Sequence, residues 1–290
     1  MRPKYLRFLT LNIWGENGPW ESRLALVAEK LDSLLPDVVA LQEVREVPGR
    51  ITNQAELLAR HRGWRFVYAP STAWGGGSEG LAVISRFPIG AHDARVLPHS
   101  TEQEGRIVLS ARVDSDLGEV WVHTTHLSFR EHEGRKREDQ VQVLDEVVSA
   151  HKSDNPQLLM GDFNATPGSD EIRWLTGLTS LGGRRVFYQD VWDITHPGQS
   201  GWTWARANPY TERMHWLRSD RRIDYVFVTA RRRDRRGTVH SARILFDEPA
   251  VMPSGERLYA SDHFGVVTEI QLLAEPAEGS GPVPITLGSG

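Results

Sequence analysis

The segment Leu158-Leu159-Met160-Gly161-Asp162-Phe163-Asn164 holds the pattern that decides the fold. Three apolar residues close a short strand, then a glycine, then two polar residues two positions apart. Side chains alternate along a strand, so in an extended chain Asp162 and Asn164 are expected on one face. The same arrangement recurs on either side of it. An apolar strand expected over 6–13 carries Asn12 near its end, and one over 38–41 runs into Gln42-Glu43. The strand over 120–126 finishes in Thr125-His126-Leu127. The strand over 224–228 opens with Arg222-Ile223-Asp224-Tyr225, and the last, over 266–270, follows Ser261-Asp262-His263-Phe264. Strand ends on a rigid scaffold are where functional groups are presented.

Between these strands the apolar spacing predicts helices. Leu24, Val27, Ala28, Leu31, Leu34 and Leu35 repeat at helical intervals before Pro36 stops the run. Further helices are expected over 54–62, 136–150 and 170–175, and further strands over 66–68, 81–85, 90–97, 106–113 and 242–246. Strands outnumber helices and the two kinds are interleaved irregularly. That order predicts an α/β layered domain, two apolar sheets face to face with helices outside, rather than a doubly wound parallel sheet.

The chain has 290 residues, 39% of them hydrophobic, enough for a sizeable core. It has no cysteine, which excludes disulfides and thiolate metal sites and fits a reducing compartment. The N-terminal apolar run is too short for a signal peptide, and no stretch reaches the roughly 20 apolar residues of a membrane span. A cytoplasmic monomer is the expectation. A formal net charge of −4 argues against a bulk nucleic-acid binder, although a local patch would suffice.

Each polar segment has an ordinary explanation when taken singly. Gln42-Glu43 reads as a solvated turn, His126 as a structural histidine, Asp162 and Asn164 as turn formers, Asp224 as half of an ion pair, and Asp262-His263 as a cap. Their order on one chain does not. Asn12, Gln42-Glu43, Thr125-His126-Leu127, Gly161-Asp162-Phe163-Asn164, Ile223-Asp224-Tyr225 and Ser261-Asp262-His263 together resemble the motif set of the endonuclease/exonuclease/phosphatase superfamily, which shares the deoxyribonuclease I-like fold. The run Glu79-Gly80-Leu81-Ala82-Val83-Ile84-Ser85-Arg86-Phe87-Pro88 is similar to that family too.

The resemblance implies a four-layer αββα sandwich over residues 1–272 and one site at one end of the two sheets; the Gly-, Pro- and Ser-rich composition from Glu275 onward reads as a flexible tail over 273–290. It implies a metal-dependent phosphoesterase in which Glu43 ligates a divalent cation, with Asn12 beside it and Asp262 at the metal site. Asp162 and Asn164 would hold the attacking water and the scissile phosphate, and His263 would act as base, oriented by Asp224. His126 would contact the phosphate or the leaving group, with Glu79 as its carboxylate partner. A catalytically silent module would have lost one of these groups, and none is missing.

Elementary chemistry agrees. Mg²⁺ (or Mn²⁺) prefers oxygen ligands and keeps several waters, so one or two carboxylates suffice to place it beside a phosphate. A histidine whose tautomer is set by a carboxylate can take a proton from water. Zinc is disfavoured: His123 and His126 are an odd number of residues apart on a strand and face opposite ways.

The substrate is less legible. A histidine at the Thr125-His126-Leu127 position is similar to deoxyribonuclease I, neutral sphingomyelinases, inositol polyphosphate phosphatases and deadenylases. It is unlike the abasic-site endonucleases, and no inositol-phosphatase signature precedes Asp224. The expected substrate is a phosphodiester, in nucleic acid or in a phospholipid headgroup; a sugar phosphate or nucleotide as substrate of a phosphatase is the alternative. Trp202, Trp204 and Arg206, in an aromatic stretch running to Trp216, would stack a base or cradle a choline-like headgroup. Trp74, beside Gly75-Gly76-Gly77, together with Trp14 and Trp20, would complete the rim. The run Arg231-Arg232-Arg233-Asp234-Arg235-Arg236 reads as a solvated hairpin tip, with binding to an anionic surface as the alternative.

Overall fold

The computed structural model describes residues 4–214 and 219–275, so Trp216 and most of the expected tail lie outside the described residues. In chain order the elements are β1 (Tyr5–Asn12), α1 (Trp20–Leu34), β2 (Val38–Glu46), α2 (Gln54–Arg60), β3 (Arg65–Trp74), β4 (Gly77–Ser85), β5 (Ile89–Val96), β6 (Ile107–Ser115) and β7 (Gly118–His126). They continue with α3 (Gly134–Ala150), β8 (Leu158–Asp162), α4 (Asp170–Leu175), β9 (Tyr188–Asp190), α5 (Val191–Thr195), β10 (Asp224–Thr229), β11 (Val239–Leu245), the short pair β12 (Ala250–Val251) and β13 (Arg257–Leu258), and β14 (Gly265–Gln271).

Two six-stranded sheets form, in the orders β11-β14-β1-β2-β4-β3 and β5-β6-β7-β8-β10-β9. Each contains one parallel pair, β1 with β2 and β7 with β8, linked by α1 and α3 respectively. The other pairs are antiparallel, which is the mixed arrangement anticipated. The inner faces meet through Phe8, Val38, Ala40, Val83, Leu109, Val122, Met160 and Val226. Outside, α1 and α2 cover the first sheet through Val27, Leu31, Ala55 and Leu58, and α3 and α4 cover the second through Val141, Leu144, Ile172 and Trp174. The result is the expected four-layer αββα sandwich.

The two-residue period of strands decides where the polar ends point. Phe8, Ala40, Val122, Met160 and Val226 all face the inter-sheet core. Asn12, Gln42, His126, Asp162 and Asp224 lie an even number of residues from them, so they share that inward face at the sandwich's end. His123 points the other way, where its ring nitrogens lie 2.9 Å from Ser110 Oγ and 2.9 Å from Gln157 Oε1. The expected opposition of His123 and His126 is therefore what the fold has.

Strand spans run longer than expected both inside the first sheet, where β2 extends to Glu46 and β4 begins at Gly77, and at its edge. β3 reaches from Arg65 to Trp74 instead of three residues, because an edge strand with Pro70 and largely half-exposed side chains carries little apolar alternation. Strand β9 and helix α5 were not legible, since three and five residues are too few to show a period.

Candidate active site

The parallel pairs deliver their C-terminal ends, and β10 its N-terminal end, to one place. Register makes Asp162 the cross-strand neighbour of both His126 on β7 and Asp224 on β10. Gly161 makes this approach possible: its φ is +143°, and a Cβ there would stand 2.1 Å from the Thr125 carbonyl oxygen. On the first sheet, Asn12 is registered with Gln42, whose amide Nε2 donates across the sandwich to Thr124 Oγ1 at 3.0 Å. The β2–β4 ladder slips between Leu41 and Val44. This bulge puts Glu43 at φ +56° and lets it line the cleft.

Asp162 sits at the centre. Its Oδ2 accepts from Asn12 Nδ2 at 3.1 Å and lies 3.4 Å from His126 Nε2 and 3.7 Å from His263 Nε2. Its Oδ1 accepts from the Asn164 backbone N–H at 2.9 Å. Asn12 Nδ2 also donates to Glu43 Oε1 at 3.0 Å, so one amide holds two carboxylates apart. His263 Nδ1 lies 2.9 Å from Asp224 Oδ2, both residues buried, and Asp224 Oδ1 has no hydrogen-bond partner among the described residues.

The expected extended run from Asp162 to Asn164 is corrected. Asn164 has φ +49° and turns under its own bond to Asp162, a conformation Asn tolerates well. Its Nδ2 spends one bond on the Leu127 carbonyl at 3.1 Å. The expected pairing of His126 with Glu79 is corrected too: the carboxylate facing His126 is Asp162. Glu79 lies instead in the field of Glu43, Arg45 and Arg106.

Charge crowding marks the cleft. Burial, with Glu43's repulsion, pushes Glu79 up to about 7. Burial and Glu43 likewise push Asp262 to about 7, against the pull of His263 and Arg23. Burial raises Asp162 to about 6 despite His263. Burial alone would lower His263, but Asp224, Asp162 and Asp262 together hold it well above the ordinary histidine range. Burial, then Arg106 and His263, push His126 well below it, which favours the neutral ring.

Such a set fits a hard cation. Asp162, Asp224 and His263 offer ligand atoms within 4.8 Å of one another. His263 Nδ1 is already committed to Asp224, whereas Glu43 and Asp262 line the same cleft and offer further carboxylate oxygens of the kind a hard cation takes.

The cleft has a volume of about 420 Å³ and is lined by Glu43, Trp74, Glu79, His126, Asp162, Asn164, Trp204, Asp262 and His263, among others. Of the four substrate residues expected, Trp74 and Trp204 line it. Trp202 is half exposed and Arg206 pairs with Asp220 at 3.5 Å, both outside the lining. Trp14 packs at a tilt against Tyr210, ring centroids 4.8 Å apart, and neither it nor Trp20 lines the cleft. The 231–236 run follows the far end of β10 and is partly neutralised, Arg236 by Asp234 within the run and Arg235 by Glu275 beyond it.

Sequence reading missed several residues. Arg106, Glu104, Phe129 and Arg221 line the cleft, and Thr203 stands behind it. Thr203 Oγ1 accepts from the Ile223 and Asp224 N–H groups, and its carbonyl accepts from Phe264 N at 2.6 Å, so it joins both halves of the His263–Asp224 pair. Arg23, on α1 and 2% exposed, gives all its N–H groups to carbonyls of the loop after β1 and of Ala260. Only the helical spacing of α1, which turns Arg23 toward the sheet beside Val27, hinted at its burial.

Comparison with known proteins places this geometry. The family model for the Endonuclease/Exonuclease/phosphatase family matches residues 9–263, and the chain belongs to that family. Members of it are hydrolases that act on phosphate esters. The chain is 27% identical to Drosophila melanogaster Nocturnin over 297 residues, covering 90% of this chain and 43% of that protein. It is 28% identical to the Drosophila melanogaster protein angel over 59% of this chain and 51% of that one. It thus spans about half the length of these relatives. The same fold occurs in D. rerio TDP2 complexed with a single-strand DNA product (TM-score 0.71, 19% identity, 92% of this chain and 99% of that one). It also occurs in the human Nocturnin catalytic domain with bound sulfate (TM-score 0.66, 21% identity, 92% and 93%). Among the described residues, no helix is long and apolar enough to cross a membrane.

Proposed function

We propose that this chain is a phosphodiesterase dependent on a divalent cation, Mg²⁺ or Mn²⁺, acting on a phosphodiester that carries a nucleobase. The observation that carries the reading is the 2.9 Å contact of His263 with Asp224, with the free His263 Nε2 turned to within 3.7 Å of Asp162 in a cleft of crowded carboxylates.

Glu43 and Asp262 would hold the cation, with Asn12 fixing Glu43 relative to Asp162. When bound, it neutralises charge on the phosphate and polarises a phosphoryl oxygen. Asp224 holds the imidazole tautomer that leaves Nε2 facing the water. As the water oxygen bonds to phosphorus and the ester P–O bond breaks in line, His263 Nε2 takes the water proton. The leaving oxygen acquires a proton in turn. Asp162 and Asp262 are among the carboxylates that raise His263, and a cation held at Glu43 and Asp262 would offset part of that pull. Neutral His126 contacts a phosphate oxygen or the leaving group, and the Asn164 amide proton not given to Leu127 is available to a phosphate oxygen.

The aromatic walls favour a base over a choline headgroup. Arg45 lies 3.8 Å over the Trp74 ring, Arg221 4.9 Å over Trp204, and Arg130 4.8 Å over Phe129. A quaternary ammonium needs ring faces free of competing cations. Here each ring already carries a guanidinium, which repels a quaternary ammonium but not a neutral base. A nucleotide or sugar-phosphate phosphatase is the second reading, because a cleft of this volume also suits one small ligand.

The test compares a single-stranded oligonucleotide, a mononucleotide and sphingomyelin as substrates, with Mg²⁺ and with EDTA. Oligonucleotide cleavage that EDTA abolishes is expected, with His263→Ala slower by about 10²–10⁴-fold. Preference for sphingomyelin, or wild-type turnover in H263A, overturns the reading.

A further inference from the structure

The loop from Leu97 to Arg106 folds over the cleft mouth. Ser100 Oγ donates to the Arg106 carbonyl at 2.7 Å and accepts from Arg106 N at 2.9 Å. Gly105 N donates to Thr72 Oγ1 at 2.9 Å, and a Cβ at Gly105 would lie 1.7 Å from the Ser71 carbonyl oxygen, so the loop is pressed onto β3. This pinning sets Glu104 between two arginines. Its Oε1 accepts from Arg106 Nε and Nη2, both at 3.3 Å, and its Oε2 accepts from Arg130 Nη1.

The Phe129 ring lies beside both guanidiniums, 5.9 Å from Arg106 and 4.8 Å from Arg130. Arg130 is held from behind, its carbonyl accepting from Arg137 Nη1 at 2.9 Å. Glu104, Arg106 and Phe129 line the same cleft as His126. The Arg106 side chain is 10% exposed, and its Nη1 makes no hydrogen bond among the described residues. Arg106 and His126 thus face the same cleft, and the Arg106 charge disfavours protonation of His126.

The Glu104 carboxylate bridges the two guanidiniums, and Arg130 Nη1 also lies 3.4 Å from Glu133 Oε1. Phosphate presents three oxygens with more charge, and guanidinium forks suit it well. We propose that Arg106 and Arg130 form a second anion site, which takes a terminal phosphate of the substrate, and that Glu104 is the resident counter-ion displaced when it binds. The proposal rests on the phosphodiesterase reading and narrows it to substrates bearing a phosphomonoester next to the scissile diester. Arg106 and Arg130 act in recognition, and Glu104 sets the threshold for entry.

The experiment uses a dinucleotide with and without a 5′-phosphate. Binding is measured by calorimetry in His263→Ala with Ca²⁺, and turnover is measured in the wild-type protein with Mg²⁺. The 5′-phosphorylated form is expected to bind roughly ten- to hundredfold more tightly, the range that hydrogen bonds to a charged group support. In turnover the preference should lie in KM. Adding Arg130→Met, a change at a half-exposed side chain, should erase most of the preference, and Glu104→Gln should enlarge it. Arg135→Met, on the exposed face of α3, should leave it intact. Equal binding of the two dinucleotides, or a preference that survives both Arg130→Met and Arg106→Met, overturns the proposal. Failure of the phosphodiesterase reading shows separately, as absence of turnover with the calorimetric preference still present.

Discussion

Arg23 is the residue whose replacement should be felt most sharply outside the reacting groups. Its Nε donates to Asn17 O at 3.1 Å, and its Nη1 to Ile13 O at 2.8 Å and Ala260 O at 3.0 Å. Its Nη2 reaches Trp14 O, Gly15 O and Asn17 O at 3.2, 3.1 and 2.8 Å. The loop leaving Asn12 and the segment leading to Asp262 are thereby tied to one guanidinium. In Arg23→Met these carbonyls lose a charged donor, each at about 1–3 kcal/mol if left buried. Removing a desolvated cation offsets part of that, and loop opening rehydrates some carbonyls. The net loss should be about 3–5 kcal/mol, the scale for breaking a buried charged network. At roughly 2–4 °C per kcal/mol this lowers Tm by about 10 °C. Urea unfolding followed by tryptophan fluorescence, without metal, measures it. Arg23→Lys, with at most three donors, should fall between. A loss under about 1 kcal/mol in R23M would show that the carbonyls have other partners and that the guanidinium is not the tie.

Three further outcomes follow from the same geometry. Asp224→Asn should lower kcat by about 10²–10⁴-fold with little change in KM, because the imidazole tautomer is lost while the binding walls stay; an unchanged kcat in steady-state assays would remove Asp224 from the dyad. Gly161→Ala forces a Cβ to within 2.1 Å of the Thr125 carbonyl and should cost on the order of 3 kcal/mol. It should also depress activity at temperatures where the variant remains folded; thermal melts with parallel assays check both, and a fully active variant contradicts the need for this close approach. Burial holds His123 down at about 4, against an ordinary 6.5. The unfolded chain binds the proton first, so stability is present above about 6.5 and is lost as pH falls toward 4, by about 3 kcal/mol in all. Urea midpoints between pH 7 and 4 should therefore fall less steeply for His123→Phe than for the wild type, and superimposable slopes would contradict the assignment.

Much of this protein was legible along the chain because the information is local. An apolar run with a polar residue at its end states both a strand and what it presents. Strand parity set His123 and His126 on opposite faces without reference to any partner. The order of the polar segments carried the family, and with it the layered fold.

Tertiary structure decided what depends on distance between segments far apart in sequence. That His126 faces Asp162 and not Glu79 follows from β7–β8 register and from Gly161. That Glu43 enters the cleft follows from a bulge in β2, on the sheet opposite the one that carries Asp162. Trp202 and Trp204 are chemically alike and two residues apart, yet only Trp204 lines the cleft, because it bridges to Arg221 beside β10. Arg23, Arg106 and Thr203 carry no motif; each acts through bonds to groups contributed by other loops. Residue type and local period determine which elements form and which way their side chains point, whereas the partner of a buried polar group is chosen only when packing brings distant donors and acceptors within about 3 Å.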